Sequence, residues 1–530
     1  MGFAQDAEAM QEALASTPGW QEVAGDRFDD ATLSAIFSEA VKVAEVEIAP
    51  LNAIADRVGA RISEGRVTTP AAFRSVFTTL ADGGWLSLEH DARLGGQGLP
   101  LTVFAAVNPL FERACPAFMM VAGGTRAAAM MLSEWADPET QSEWVPELLA
   151  GRRCATICIS EPEAGSDVGR IRTRAERGSD GRWQVSGQKI WISFGDHDIR
   201  SRIGHCLLAR TGDKPGTRGL SLFLVENGPQ VVTERIEEKL GLHGSPTCAL
   251  RFEKAPATLI GSEEGGLRQL FTMIRHMRLT VACQGLGVAL ACHDAAASYA
   301  QSRRQGGSAD APPVAIVQHP DVRRQLLEME TDISLFRLAL LQTAVAADLA
   351  PGDAGMARLC GFLLPLIKNF GAELAFDTAA RSILVLGGGG FMQDYPAAQA
   401  LRDARVFAIY EGTTGMQAQD FVMRQCIRND EAALQTFVEI ARAECAGQKQ
   451  AIEVIETFKA FFDREVRDQK EFALMAMAEP VMRAGWCAVK AWLSGRMADE
   501  ICRIHFLATA EAEIEVHFAK ARSAARLLGQ

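Results

Sequence analysis

Ile409-Tyr410-Glu411-Gly412-Thr413-Thr414 decides how this chain reads. It follows Arg402-Asp403-Ala404-Arg405 by a few residues, so a carboxylate stands between an aromatic residue and a glycine just after a stretch that reads as helix. Glycine lets the backbone approach a ligand closely, and a carboxylate among apolar neighbours can be tuned into a base. Alone, the tripeptide reads equally well as an exposed loop. Two further strings keep it company: Leu386-Gly387-Gly388-Gly389-Gly390-Phe391 upstream, and, far earlier, Cys158-Ile159-Ser160-Glu161-Pro162-Glu163-Ala164-Gly165-Ser166-Asp167.

With 530 residues the chain is too long for one ordinary domain. Apolar residues make up 48 %, which suits a globular protein with large buried faces. A net charge of −12 argues against a non-specific nucleic-acid role. The first residues lack the basic-then-apolar pattern of a signal peptide. No unbroken apolar run reaches the roughly eighteen residues of a membrane span. The twelve cysteines and nine histidines are scattered, without metal-ligand spacing, so no metal is expected and a reducing, cytoplasmic setting is.

Texture changes along the chain. From about residue 28 to 150 the pattern is helical, with Thr32 to Val41 placing apolar groups at three- and four-residue steps. Arg93 to Pro100 is too glycine-rich for helix, and Asp137-Pro138 predicts a fresh helix start. After Arg153 short β-branched or aromatic runs predict strands, with Ser179-Asp180-Gly181-Arg182 as a hairpin turn. Long helices resume at Leu267 and continue to residue 428, and the tail from Asn429 is helical with alternating charges. The expected divisions are residues 1–153, 154–262, 263–428 and 429–530.

Bare amides and small hydroxyls in Ile157 to Asp167 suit the hydrogen-bonding edge of a flavin ring. In Gly187-Gln188-Lys189-Ile190-Trp191-Ile192-Ser193 an indole is available to cover one face of such a ring. Arg278 and Arg303 are each plain helix-face residues or phosphate ligands, since a guanidinium fork donates two parallel bonds. The glycine run at Gly387 lacks the Lys-Ser or Lys-Thr of a P-loop.

Taken together these strings resemble the acyl-CoA dehydrogenase family over roughly residues 30 to 430. The resemblance implies an α+β multidomain fold: an N-terminal helical domain, a central β-barrel-like domain and a C-terminal four-helix bundle, here with an added C-terminal helical region. Gly195-Asp196-His197-Asp198 and Leu240 to Thr247 look like a subgroup of larger bacterial members that includes 3-methylmercaptopropionyl-CoA dehydrogenases.

What the resemblance implies for the site follows residue by residue. Glu411 removes the substrate α-proton while the β-hydrogen leaves as hydride to flavin N5, giving a trans-2-enoyl-CoA. The Glu411 N–H and the flavin ribityl 2′-hydroxyl hold the thioester oxygen, each donor worth ~3 kcal/mol. FAD is held by Ile157, Cys158, Ile159, Ser160, Gly165, Ser166, Trp191, Ile192 and Ser193. Further FAD contacts fall to Arg303, Gln305, His319, Leu384, Gly387, Gly388, Thr413 and Gly415, some reaching a neighbouring subunit. Ser166, Arg275, Arg278 and Gly412 fall to the acyl-CoA.

The sequence departs from the family pattern in places. Gly306 stands where an aromatic residue is usual after Arg303, an insertion Ser308 to Pro313 follows, and Leu384 replaces a frequent glutamine. The resemblance further implies an electron-transferring flavoprotein as electron acceptor and, because of the tail, a homodimer. Two other readings stay open at this stage: an acyl-CoA oxidase using oxygen, and a non-catalytic flavoprotein of the same fold. Phe118, Met119 and Met120 are candidates for the acyl pocket and equally ordinary core.

Overall fold

The apolar run Leu220-Ser221-Leu222-Phe223-Leu224-Val225 shows no alternation because both of its faces are covered. In the computed structural model, which describes residues 2–25, 28–429 and 431–529, it forms one strand of a closed sheet. The strands are β1 (Arg61–Ser63), β2 (Arg66–Thr68), β3 (Cys154–Cys158), β4 (Arg174–Arg177), β5 (Trp183–Ser193), β6 (Ile203–Arg210), β7 (Leu220–Glu226), β8 (Val231–Ile236) and β9 (Thr247–Ile260). β6 pairs with β4, β4 with β5, β5 with β9, β9 with β7 and β7 again with β6, which closes a barrel. β3 adds in parallel to β6, and β8 antiparallel to β9.

Side-chain alternation sorts the two faces. Leu207, Phe223 and Val225 point inward with Val185, Leu250 and Phe252. Cys206, Leu208, Leu222 and Leu224 point outward, beneath Leu132, Trp144, Leu148 and Met273 of the flanking helices. Burying each such large side chain contributes about 1.5–3 kcal/mol, so the barrel and its helices hold together as one body. That body comprises Lys42–Phe104 and Ala114–Thr280.

A second compact unit comprises Met1–Val41, Ala105–Arg113 and Val281–Gln530. Its frame is the later part of helix Gly266–Ser302, together with Pro320–Leu349 and Ala354–Leu386. The tail supplies Ala432–Glu444, Lys449–Phe461, Glu471–Ser494 and Glu500–Leu528. Tail and frame share one aromatic core. Phe362 stacks on Phe437 at 4.6 Å and Phe370 on Trp486 at 4.9 Å, while within the tail Phe461 stacks on Phe518 at 4.0 Å. Among the described residues two helices, Gly266–Ser302 and Ala354–Phe391, are long and apolar enough to cross a membrane, and both are mostly buried within the fold.

The strand-rich segment, the turn at Gly181 and the Asp137 cap stand where the sequence places them. Asp137 accepts from the N–H groups of Glu139 and Thr140 at 3.0 Å. Three features differ. The hairpin β1–β2, turning through Glu64 and Gly65 at φ +52° and +74°, interrupts the stretch read as helical. A helix Phe3–Ala15 precedes that stretch. Arg303 lies just past the end of its helix rather than on it.

One ion pair fixes the loop that leaves β3. The Glu161 carboxylate accepts from Arg172 N–H at 2.6 Å, Thr173 N–H at 3.1 Å and the Lys189 ammonium at 2.8 Å. Lys189 also donates to the Ile159 carbonyl at 3.0 Å, and both ionic side chains are buried. Burial alone would raise the Glu161 pKa, but Lys189 and the donated hydrogen bonds outweigh it and hold the carboxyl below its ordinary 4.5.

Neutralising one partner of a buried pair leaves the other uncompensated, at about 3–5 kcal/mol. Glu161→Gln is expected to lower the local opening free energy of residues 154–193 by about that amount in native-state hydrogen exchange. A loss below ~1 kcal/mol would mark the pair as no stronger than an exposed one. Because the folded pKa is depressed, this stabilisation is complete above pH 4.5 and is lost as the pH falls through the folded value. The wild type should therefore lose protection below pH 4.5 more steeply than the variant.

Candidate active site

In the barrel unit, the Glu161 loop and β5 carry the first group of candidate residues. Ser160 is half-buried, and its carbonyl accepts from Ile190 N–H at 2.9 Å, which locks the two segments together. Gly165 and Ser166 are exposed, and a Cβ added at Gly165 would meet nothing within 4 Å. The backbone there is bare. Trp191 is the outlier: its φ is +60° and its indole is 59 % exposed. It sits in the register break of the β5–β9 ladder, between Lys189 and Ile192. A left-handed backbone costs a bulky residue about 1–2 kcal/mol, and an exposed indole recovers little of that from core packing. The Ser193 carbonyl accepts from the Thr156 hydroxyl at 2.7 Å, so the end of β5 is held as well.

Cys158 and Ile192 are closed inside the barrel core, which leaves only their main-chain groups to a ligand. Burial pushes the Cys158 thiol well above its ordinary pKa. Ile157 and Ile159 are half-buried against the outer cluster. On helix Gly266–Ser302, Arg275 is exposed and Arg278 half-buried. Phe118, Met119 and Met120 are buried, with Phe118 edge-on to Phe73 at 5.1 Å, as ordinary core packing requires.

Sequence reasoning missed a buried polar group in this unit. Glu89 pairs with Arg126, and His276 lies 2.7 Å from Glu89. Burial would raise the Glu89 pKa, but Arg126, His90 and His276 together hold it well below the ordinary carboxylate range. Burial drives the neighbouring His90 down to about 4, so it stays neutral at pH 7. Glu89, Arg126 and His276 are far apart in sequence and share no local pattern. The motif Gly195 to Asp198 is also explained: Asp196 accepts from Val67 N–H at 3.0 Å and Asp198 from Thr69 N–H at 2.9 Å. Both clasp the β1–β2 hairpin to the barrel.

In the helical unit the second group gathers at one end of the frame. Arg303 N–H donates to Tyr299 O, and the Arg303 carbonyl accepts from Ile316 N–H at 2.9 Å. The Arg303 guanidinium reaches the Gln305 side chain at 3.3 Å. His319 begins helix Pro320–Leu349 without capping it by side chain; its Nε2 instead meets the Gln305 carbonyl at 2.8 Å. Arg303, Gln305 and His319 therefore come together, and the insertion Ser308 to Pro313 is the exposed tip of their loop. Val385 and Leu386 pack on Ala296 and Ala300, which brings the Gly387 turn to the same end. Gly387 has φ +61°, and a Cβ at Gly387 or Gly388 would meet nothing within 4 Å. Leu384 is 69 % exposed beside it, and Phe391 83 %.

Glu411 is half-buried with φ +53°, followed by Gly412 at φ +96°. Two consecutive left-handed residues turn the chain between the short helical turn Arg405–Ala408 and helix Thr414–Gln419. The Arg405 guanidinium lies over the Phe376 ring at 5.0 Å, and the phenol of the half-buried Tyr410 donates to the Gln284 side chain. Thr413 and Gly415 are exposed at the start of the following helix. A strained, carefully supported carboxylate of this kind is suited to abstracting a proton.

Comparison with known proteins places the fold and chemistry in a family. Residues 31–152, 156–255 and 264–426 match the N-terminal, middle and C-terminal domain models of acyl-CoA dehydrogenase. A 3-methylmercaptopropionyl-CoA dehydrogenase of Ruegeria pomeroyi is 38 % identical over 418 residues, covering 75 % of this chain and 71 % of that protein. Among solved structures, the glutaryl-coenzyme A dehydrogenase glutaryl-CoA complex aligns with a TM-score of 0.66 and 24 % identity, over 77 % of this chain and 98 % of its own. Caenorhabditis elegans ACDH-11 in complex with C11-CoA aligns with a TM-score of 0.79 and 19 % identity, over 97 % of this chain and 89 % of its own. In fold, that second likeness takes in most of the C-terminal helices. The chain belongs to the acyl-CoA dehydrogenase family and is an oxidoreductase that acts on acyl-CoA.

Proposed function

We propose that this protein catalyses the FAD-dependent α,β-dehydrogenation of an acyl-CoA thioester to a trans-2-enoyl-CoA, with Glu411 as the base. The observation that carries this reading is the carboxylate of Glu411 on a left-handed backbone, half-buried and followed by a glycine. Such strain is kept where a side chain must be aimed. The residues at hand fit a flavin. The bare backbone at Gly165, Gly387 and Gly388 admits close approach, and the exposed Trp191 indole supplies an apolar face. The Ser160 and Ser193 hydroxyls are the candidate partners of the ring edge, and Arg303, Gln305, His319 and the Gly387 turn those of the pyrophosphate and adenosine.

When bound, FAD supplies the two-electron acceptor that takes the β-hydrogen. The chain's own residues do the rest. Glu411 receives the α-proton, and its backbone N–H donates to the thioester oxygen, where charge develops. Arg275, Arg278, Ser166 and Gly412 orient the CoA ester. We propose an electron-transferring flavoprotein as the onward acceptor and a cytoplasmic location. The twelve unpaired cysteines, eleven of them buried, are consistent with that location. The working division of the chain into residues 1–153, 154–262, 263–428 and 429–530 belongs to the same proposal.

Glu411→Gln keeps size and shape and removes the base. Acyl-CoA should still bind, while anaerobic flavin bleaching at saturating substrate slows by ~10²–10⁴-fold, the range of a general base. Bleaching within about threefold of wild type would remove Glu411 from that role. Arg303→Ala should weaken FAD retention more than it slows bleaching of the flavin that remains. Unchanged FAD occupancy would take Arg303 out of the site.

Leu384, Phe391 and Met392 form an exposed apolar group beside the Gly387 turn, which supports a subunit contact there. Light scattering of the flavin-loaded protein should report a homodimer. A fully active monomer would contradict the shared contact, and a tetramer would contradict the masking of a further interface by residues 430–530.

A further inference from the structure

The two carbonyls that follow the proposed base are both held from outside their own segment. Lys368, fully buried on helix Ala354–Leu386, donates from Nζ to the Gly412 carbonyl at 2.6 Å. Gln417, fully buried on helix Thr414–Gln419, donates from Nε2 to the Glu411 carbonyl at 3.1 Å and the Gly412 carbonyl at 3.2 Å. The Gln417 Oε1 is buried without a hydrogen-bond partner. An amide whose donor end is shared between two carbonyls while its acceptor end is left empty has been oriented for the donor. A Cβ at Gly412 would stand 2.6 Å from Gln417 Nε2, so Gly412 is required both by its φ and by the closeness of that amide.

We propose that Lys368 and Gln417 are positioning residues for Glu411: they lock the consecutive left-handed residues Glu411 and Gly412 and so aim the carboxylate. This rests on the reading of Glu411 as the base. The 411–412 peptide sets ψ of Glu411 and φ of Gly412, so its release, together with turning of the 410–411 peptide that sets φ of Glu411, is the motion that would return Glu411 to an ordinary backbone and swing its side chain away. Gln417 holds the 411–412 peptide directly, and Lys368 holds the next one. Tyr410, anchored by its phenol to Gln284, fixes the segment on the other side. Burying an ammonium against a backbone carbonyl is costly unless its bonds are well made. The lock is therefore a stiff one, carried by two helices rather than by the loop itself.

The test uses the full-length, flavin-loaded protein with Lys368→Met, Gln417→Ala and the milder Lys368→Arg and Gln417→Glu. In Lys368→Met and Gln417→Ala the limiting rate of anaerobic flavin bleaching should fall roughly 10- to 100-fold, the scale of a misplacement near 1 Å. FAD occupancy and the acyl-CoA dissociation constant should stay within about threefold, and Lys368→Arg should recover most of the rate. Amide exchange of residues 409–417 should quicken, and a crystal structure of Lys368→Met should show Glu411 leaving positive φ. If Lys368→Met or Gln417→Ala does not fold, Lys368→Arg and Gln417→Glu carry the comparison, with the same directions expected for Gln417→Glu. Limiting rates within about threefold of wild type in Lys368→Met and Gln417→Ala, or in Gln417→Glu where those do not fold, or a Glu411 that keeps its left-handed backbone in these same variants, would overturn the inference. If wild-type flavin is bleached by no acyl-CoA, the reading of Glu411 as base fails on its own. Exchange and crystallography then still decide whether the two side chains lock the segment.

Discussion

A base that works on a weakly acidic carbon must be held to within a fraction of an ångström, and a flexible glutamate on a loop does not meet that demand. For Glu411, the proposed base, that demand falls on the backbone. Glu411 and Gly412 both occupy the left-handed region, which a glutamate enters at a cost of about 1–2 kcal/mol. Everything around the segment opposes its relaxation. Tyr410 is anchored to helix Gly266–Ser302, and the carbonyls of Glu411 and Gly412 are taken up by Gln417 and Lys368. The long helices of this unit are the rigid posts that make such pinning possible. The aromatic stacks joining them to the tail, Phe362 on Phe437 and Phe370 on Trp486, keep the posts fixed.

The barrel unit solves a similar problem with different means. Its loop after β3 is short of regular hydrogen bonds, so a buried ion pair between Glu161 and Lys189 takes their place and ties the loop to β5. Beyond that tie, the register break lets Trp191 leave the ladder and expose its ring. Trp191 and Glu411 share a left-handed backbone, which fits the flavin-facing and base roles proposed for them.

Much of this was legible in the sequence, and the reasons are physical. The long helical and strand segments showed because their apolar periodicity is strong, and Asp137 because a cap is a local interaction. The candidate residues were legible as strings, because the Glu411 segment, the Glu161 loop and the glycine run are each contiguous. Contacts between distant residues were not. The group Glu89, Arg126 and His276 comes from three separate segments, and nothing in any one of them announces the others. The hairpin β1–β2 was hidden because three-residue strands carry too little periodicity to register. His319 illustrates the limit of reading a residue by position: it stands at a cap, yet its ring serves the Gln305 carbonyl. Lys368 could have been suspected only as a lone cation in an apolar helix, and Gln417, in a short polar helix, gave no sign at all of what it holds.

The central claim is that this chain binds FAD and uses it to oxidise an acyl-CoA thioester. The most direct measurement is anaerobic titration of the purified, FAD-reconstituted protein with a panel of acyl-CoA thioesters, followed by flavin absorbance. The account predicts a yellow protein whose flavin is bleached by at least one member of the panel, with the matching enoyl-CoA as product. A protein that takes up no FAD, or whose bound flavin no thioester bleaches, would contradict it.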